Sequence, residues 1–133
     1  MRLISVYHSK EALEILYRLL QERKPEQNIS HKEMPTWDQH VSFVQSVPYK
    51  AWYLIQNEAN EFVGSTYLSK QNEIGIFIFD EYQSLGYGKD VVEILMSQHA
   101  GPYLANINPN NSRSIQFFRR MGFSLIQHTY AFK

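Results

Sequence analysis

Between Gln83 and Lys89 the chain reads Gln-Ser-Leu-Gly-Tyr-Gly-Lys, after an apolar run and ahead of a stretch with helical spacing. The first N–H groups of a helix have no internal partner, and they carry the positive end of its dipole. Glycines let an anion approach such a backbone closely. Gly86 and Gly88 supply that freedom and Lys89 adds a cation, so the chemistry on offer is the holding of a phosphate or diphosphate. Two common phosphate loops do not match. A Walker loop needs Ser or Thr after Gly-Lys, where this chain has Asp90, and a dinucleotide fingerprint needs a third glycine where it has Val91. What remains, Gln-x-x-Gly-x-Gly, reads both as an anion cradle and as a plain turn into a helix.

The loop must be positioned by one domain, since 133 residues suffice for a single core. Thirteen Lys and Arg balance thirteen Asp and Glu. No global field therefore favours nucleic acid or an anionic membrane, although Arg113, Arg119 and Arg120 form a local basic patch. The absence of cysteine removes disulfides, thiolate metal sites and a cysteine nucleophile, and fits a reducing compartment. His8, His31, His99 and His128 show no metal-ligand spacing, so no metal is expected. The N-terminus lacks a signal-like apolar run, and charges interrupt every long apolar stretch. A cytoplasmic protein without a membrane span is the expectation.

Along the chain, Arg2 to Tyr7 reads as a strand. Leu13, Leu16, Tyr17 and Leu20 recur with helical period behind Ser9, a potential N-cap. "ERKPEQNISHKEMP" is a polar loop. Thr36 caps a second helix with Trp37, Val41, Val44 and Val47 on its apolar side, and Pro48 stops it. Strands are expected at Ala51 to Gln56, Glu61 to Ser69 and Glu73 to Phe79, and a helix from about Gly88 to Gln98. "YLANI" reads as a short strand, "SRSIQFFRRMGF" as a helix closed by Gly122, and "FSLIQHTYAF" as a last strand. The order predicts an α/β (α+β) fold: a mixed, mostly antiparallel twisted sheet with helices on both faces and parallel neighbours in the second half. The last strand would leave a sheet edge that a second copy could cover as a homodimer.

Gln83-x-x-Gly86-x-Gly88 resembles the acyl-CoA loop of the GNAT family of N-acetyltransferases. "NNSRSIQFFRRMGF" resembles the same family's later signature, with Asn111, Ser114, Phe118, Gly122 and Phe123 on the matching positions. The two occur in the family's order and in its structural contexts, and the element order extends the resemblance over nearly the whole chain. It implies a single domain, residues 1–133, with a GNAT-like acyl-CoA N-acyltransferase fold whose central parallel strands splay apart. Backbone groups of Phe77 and Ile78 would then bond the pantetheine arm as an added strand would. Gln83, Ser84, Leu85, Gly86, Tyr87, Gly88 and Lys89 would surround the diphosphate, and Asn111, Ser114 and Phe118 would lie along the arm.

The activity so implied is transfer of acetyl from acetyl-CoA to a primary amine of a small molecule, such as an amino sugar or amino acid. Lacking a cysteine to carry the acyl group, the chain favours direct attack in a ternary complex. A neutral chain without an evident acidic groove suits a polyamine less well. The amine must lose a proton, and the resemblance points to Glu73 first, which shares a strand face with Gly75 and Phe77. It points to His40 second, on the helix that borders the acceptor site in this family. Each has a plainer reading, as a solvated glutamate at a turn and as a half-buried helix histidine. Many members place a tyrosine, the proton donor to the thiolate, where this chain has Phe118, which has no proton to give. Tyr130 or water would have to serve. A non-catalytic acyl-CoA-binding or protein-interaction module is the alternative.

Overall fold

The computed structural model describes residues 1–24 and 33–132, so residues 25–32 of the polar loop, Pro25 and His31 among them, lie outside it. Eight elements follow in order: β1 (Arg2–Ser5), α1 (Ala12–Glu22), α2 (Trp37–Gln45), β2 (Ala51–Gln56), β3 (Phe62–Leu68), β4 (Ile74–Ile78), α3 (Tyr87–Gln98) and α4 (Ser112–Arg120). Single helical turns at Val6–His8 and Asp80–Tyr82 follow β1 and β4. β1 to β4 form one antiparallel sheet in sequence order. Its register places Ile4, Leu54, Ser65 and Phe77 in one cross-strand row, and Trp52, Tyr67 and Gly75 in the next but one.

Strand alternation sends those two rows to one face, where Trp52 and Leu54 pack with Ile15 and Leu16 of α1 and Val44 of α2. The other face carries Leu68 and Ile74 against Val92 and Leu95 of α3 and Phe118 of α4. Helices cover both faces, as predicted. α2 begins where expected, because Thr36 and Gln39 form a reciprocal capping box: the Gln39 N–H donates to Thr36 Oγ1 at 3.2 Å, and the Thr36 N–H to Gln39 Oε1 at 2.9 Å. Its buried residues are His40 and Val44, four apart, whereas Trp37 and Val47 are exposed. The helix ends at Gln45, so Val47 lies beyond it, with φ +51°. Ser9 does not cap α1. Its hydroxyl donates to the Glu11 carboxylate at 2.9 Å, and the helix starts at Ala12.

Two predicted strands do not form. "YLANI" meets the sheet through one parallel bridge, Glu73 with Leu104. The Ile74 N–H donates to Leu104 O at 2.7 Å and the Leu104 N–H to Asn72 O at 2.9 Å. The C-terminal residues run without strand pairing, and Leu125, Ile126, Tyr130 and Phe132 are exposed. A strand needs a neighbour. With 103–107 committed at one point only, the alternating pattern of the last segment has no ladder to join. The sheet is thus four antiparallel strands plus a parallel bridge. Among the described residues no helix is long and apolar enough to cross a membrane.

Candidate active site

β4 organises the site. Glu73 O accepts from the Ser69 N–H and the Phe79 N–H donates to Val63 O, both at 2.9 Å, so odd-numbered residues of this strand turn their backbone groups toward β3. Ile74 turns its own outward, to Leu104. By the same alternation Ile76 and Ile78 present N–H and C=O groups along the edge beyond the single bridge. This corrects one expectation: the outward groups are those of Ile76 and Ile78, while Phe77 is engaged with β3. The Ile78 carbonyl also accepts from Gln83 Nε2 at 3.1 Å, which ties the glycine turn to the strand end.

In that turn Ser84 and Gly86 both adopt left-handed backbone, with φ +65° and +82°. Gly86 is the N-cap of α3 and, lacking a side chain, leaves the first helical N–H groups without a side-chain cap. The two glycines have different causes. A Cβ at Gly86 would meet nothing within 4 Å, so its backbone conformation is the constraint; a Cβ at Gly88 would lie 3.1 Å from the Phe117 ring, so there the constraint is the packing of α3 on α4. Arg113 from the first turn of α4 donates to Gln83 Oε1, and to Ser84 Oγ at 2.7 Å. Lys89 is exposed, with Glu93 at 3.9 Å on the next turn. Uncapped N–H groups, two left-handed residues, a guanidinium and an ammonium fit an anionic group such as a diphosphate. Leu85 is exposed, and Tyr87 is half-buried with its hydroxyl 3.5 Å from Asn57 Nδ2.

Of the later signature, Asn111 is the N-cap of α4, its side chain accepting from the Ser114 N–H at 3.2 Å. Phe118 is buried in the core against Phe117 and Phe123. Both residues therefore have structural duties that explain their identities without a ligand.

On the α1–α2 face of the same strand lies a cavity of about 670 Å³, within the range of small-molecule sites. Tyr67 and Phe77 line it from the sheet, His40 and Phe43 from α2, and Arg23 from the end of α1. Tyr67 lies across Gly75, where a Cβ would come within 2.1 Å of its ring, and stacks on Tyr49 at 4.0 Å and 5°. Burial raises the Tyr67 pKa first and the Glu73 charge raises it further. Glu73 itself is half-buried at the head of β4, accepting from Ser69 Oγ at 3.2 Å and from Asn106 Nδ2. His40 lines the cavity but is buried, with Nε2 2.9 Å from Leu13 O. A carbonyl only accepts, so Nε2 carries the proton and Nδ1 is left as the acceptor in the neutral ring. Tyr130 sits on the exposed C-terminal segment, stacked on His128, and among the described residues no contact joins it to the cavity.

The structure thus brings Glu73, Tyr67 and Gly75 together and leaves Tyr130 outside. Tyr67, Arg23 and Arg113 were not singled out as site residues by sequence reasoning. Strand alternation, which places Tyr67 opposite Gly75 once the hairpin is drawn, could have found the first. The local basic patch includes Arg113 without tying it to the glycine turn, and no local signal marks Arg23.

The architecture is shared with solved structures. A domain from Methanocaldococcus jannaschii is 26% identical at TM-score 0.72, with 96% of this chain and 89% of that one covered. An acetyltransferase from Thermus thermophilus is 18% identical at TM-score 0.73, with 95% and 88% covered. Mutant forms of a spermidine/spermine N-acetyltransferase from Vibrio cholerae are 15% identical at TM-score 0.72, with 96% and 81% covered. At these last two identities the likeness is one of fold. No curated protein sequence matches the chain. The sequence profile described as the acetyltransferase (GNAT) family matches residues 13–123, most of the domain just described. The chain belongs to the GNAT acetyltransferase family.

Proposed function

We propose that the protein transfers acetyl from acetyl-CoA to a primary amine of a small molecule by direct attack, with Glu73 as the proton acceptor. The observation that carries this reading is that one strand borders both halves of such a site. The edge of β4 at Ile76 and Ile78 continues into the anion-suited turn at Gln83 to Gly88, and its face carries the cavity lined by Phe77 and Tyr67, with Glu73 at the strand's head close enough for its charge to act on Tyr67. Bound acetyl-CoA supplies an activated acyl group and a thiolate leaving group.

An ammonium cannot attack a carbonyl, so the amine must first give up a proton. Glu73 is partly exposed and held by Ser69 and Asn106, so it is oriented and within reach of water. His40 is less suited as the base in this reading, since Leu13 fixes its Nε2–H and the ring is buried. As the C–N bond forms and the C–S bond breaks, the departing sulfur takes a proton. Phe118 has none, and Tyr130 lies outside the cavity. Tyr67 is kept protonated by its raised pKa and lies on the cavity face over Gly75, so it is the donor.

Glu73→Gln keeps the shape and hydrogen-bonding reach while removing the base. Thiol release with a responsive amine should fall roughly 10²–10⁴-fold near neutral pH, with the acetyl-CoA Kd from calorimetry unchanged. A variant with wild-type rate and pH profile removes Glu73 from the reaction.

A further inference from the structure

We infer that the acceptor amine also carries an anion, a carboxylate or a phosphate, and that Arg23 holds it. The inference rests on the acetyltransferase reading and adds the class of substrate. Arg23 follows the last residue of α1, in extended backbone, and lines the cavity together with Tyr49, Tyr67 and Phe77. Among the described residues no carboxylate lies within ion-pair distance of its guanidinium, and no side chain accepts a hydrogen bond from it. It is nonetheless partly withdrawn from water: burial lowers its pKa, and Tyr49 and Tyr67 feel its charge. A guanidinium offers five donors in a planar fork that matches carboxylate and phosphate oxygens. Half-buried and unpaired, it carries a desolvation cost that a bound anion would offset.

A second observation concerns another lining residue, on β2. Trp52, buried and lining the cavity, has its indole N–H without an acceptor among the described residues. A buried donor without a partner is uncommon.

The charge census of the cavity points the same way. Among the described residues its lining holds one cation, Arg23, and one carboxylate, Glu33, with Gln39, His40 and Ser65 amid aromatic and aliphatic side chains. A polyamine with three or four ammonium groups would need several carboxylates and would be repelled by the guanidinium. An amine with an anion at some distance from its nitrogen pairs one charge with Arg23 and leaves the nitrogen for the thioester.

The test compares 4-aminobutyrate, 2-aminoethyl phosphate, butylamine and spermidine as acceptors for the wild type, Arg23→Gln and Arg23→Lys. Thermal unfolding of each variant checks its fold. One or both anionic amines should exceed butylamine and spermidine in kcat/KM by tenfold or more, and the better of the two tells carboxylate from phosphate. Arg23→Gln should erase that preference through KM, with acetyl-CoA KM unchanged, and Arg23→Lys should restore part of it, since a point charge replaces the fork. A preference for spermidine or butylamine in the wild type overturns the inference even if no variant folds. So does a kcat/KM for the anionic amines that ignores Arg23→Gln. Failure of the acetyltransferase reading looks different: no thiol release with any amine, and no acetyl-CoA binding by calorimetry. In that event the same calorimetry with 4-aminobutyrate and 2-aminoethyl phosphate still decides, because binding weakened tenfold or more by Arg23→Gln supports the anion site and absent or equal binding overturns it.

Discussion

A Cβ at Gly75 would lie 2.1 Å from the Tyr67 ring, so the phenol can cross β4 only because residue 75 has no side chain. The hydroxyl it delivers stays protonated, because burial and the Glu73 charge both oppose its ionisation. Tyr67→Phe removes that proton and little else. Its kcat should drop by about 10²-fold, the lower range for a positioned acid, with acetyl-CoA affinity kept. A change under twofold would return the leaving group to water. Gly86 tests a different constraint. At φ +82°, with open space where a Cβ would go, Gly86→Ala should cost about 1 kcal/mol through backbone strain alone, measurable as a lowered urea midpoint. Gly88→Ala would instead press on Phe117, and a change of conformation at residue 88 would not relieve it.

Among the elements, α4 and the turn before α3 meet through one side chain. Arg113 joins its first turn to Gln83 and Ser84, fixing the left-handed residue of the turn proposed to hold the anion and setting a cation there. Arg113→Ala should weaken acetyl-CoA binding about tenfold, roughly the worth of a hydrogen bond to a charged group. Because the residue is exposed, stability should change by less than ~0.5 kcal/mol. Calorimetry and thermal unfolding on the same sample separate the two effects, and a parallel loss of both would make Arg113 a structural tie only. Legibility also divides at this scale. The start of α2 and the whole of β2 were readable because their causes lie within a few residues: Thr36 with Gln39 in one case, the five-residue apolar run Ala51 to Ile55 bounded by turns in the other. "YLANI" and the C-terminal segment have the same local look. Whether such a run pairs depends on a neighbour that sequence spacing does not show, and here it meets the sheet at Leu104 alone. The site split likewise: the glycine turn is contiguous and was legible, whereas Arg23 joins the cavity only because α1 ends beside β4.

At the scale of the whole molecule, the sheet divides the work between its faces. Both sides carry an apolar core, and the α1–α2 side adds a tyrosine cluster packed against its own core, with Tyr49 and Tyr67 lining the cavity. Tyr7 donates to Tyr49 O at 3.1 Å and accepts from the Tyr49 N–H at 3.2 Å, while Tyr49 stacks on Tyr67 and meets Trp52 edge-on at 4.8 Å. Burial is the first cause of a raised pKa at all three phenols. In the unfolded chain they ionise near pH 10, whereas in the folded protein they hold their protons to higher pH. Above about pH 10 the unfolded state therefore binds fewer protons than the native one, so stability falls as pH rises. The contribution is complete below the unfolded pKa and is lost progressively as pH climbs through the raised folded values. Urea midpoints should be level between about pH 7 and 9 and fall between about pH 10 and 11.5. Tyr49→Phe should flatten that fall, because Tyr49 has the most strongly raised pKa of the three. A wild-type midpoint that stays level across the alkaline range would mean the cluster ionises as freely in the fold as out of it.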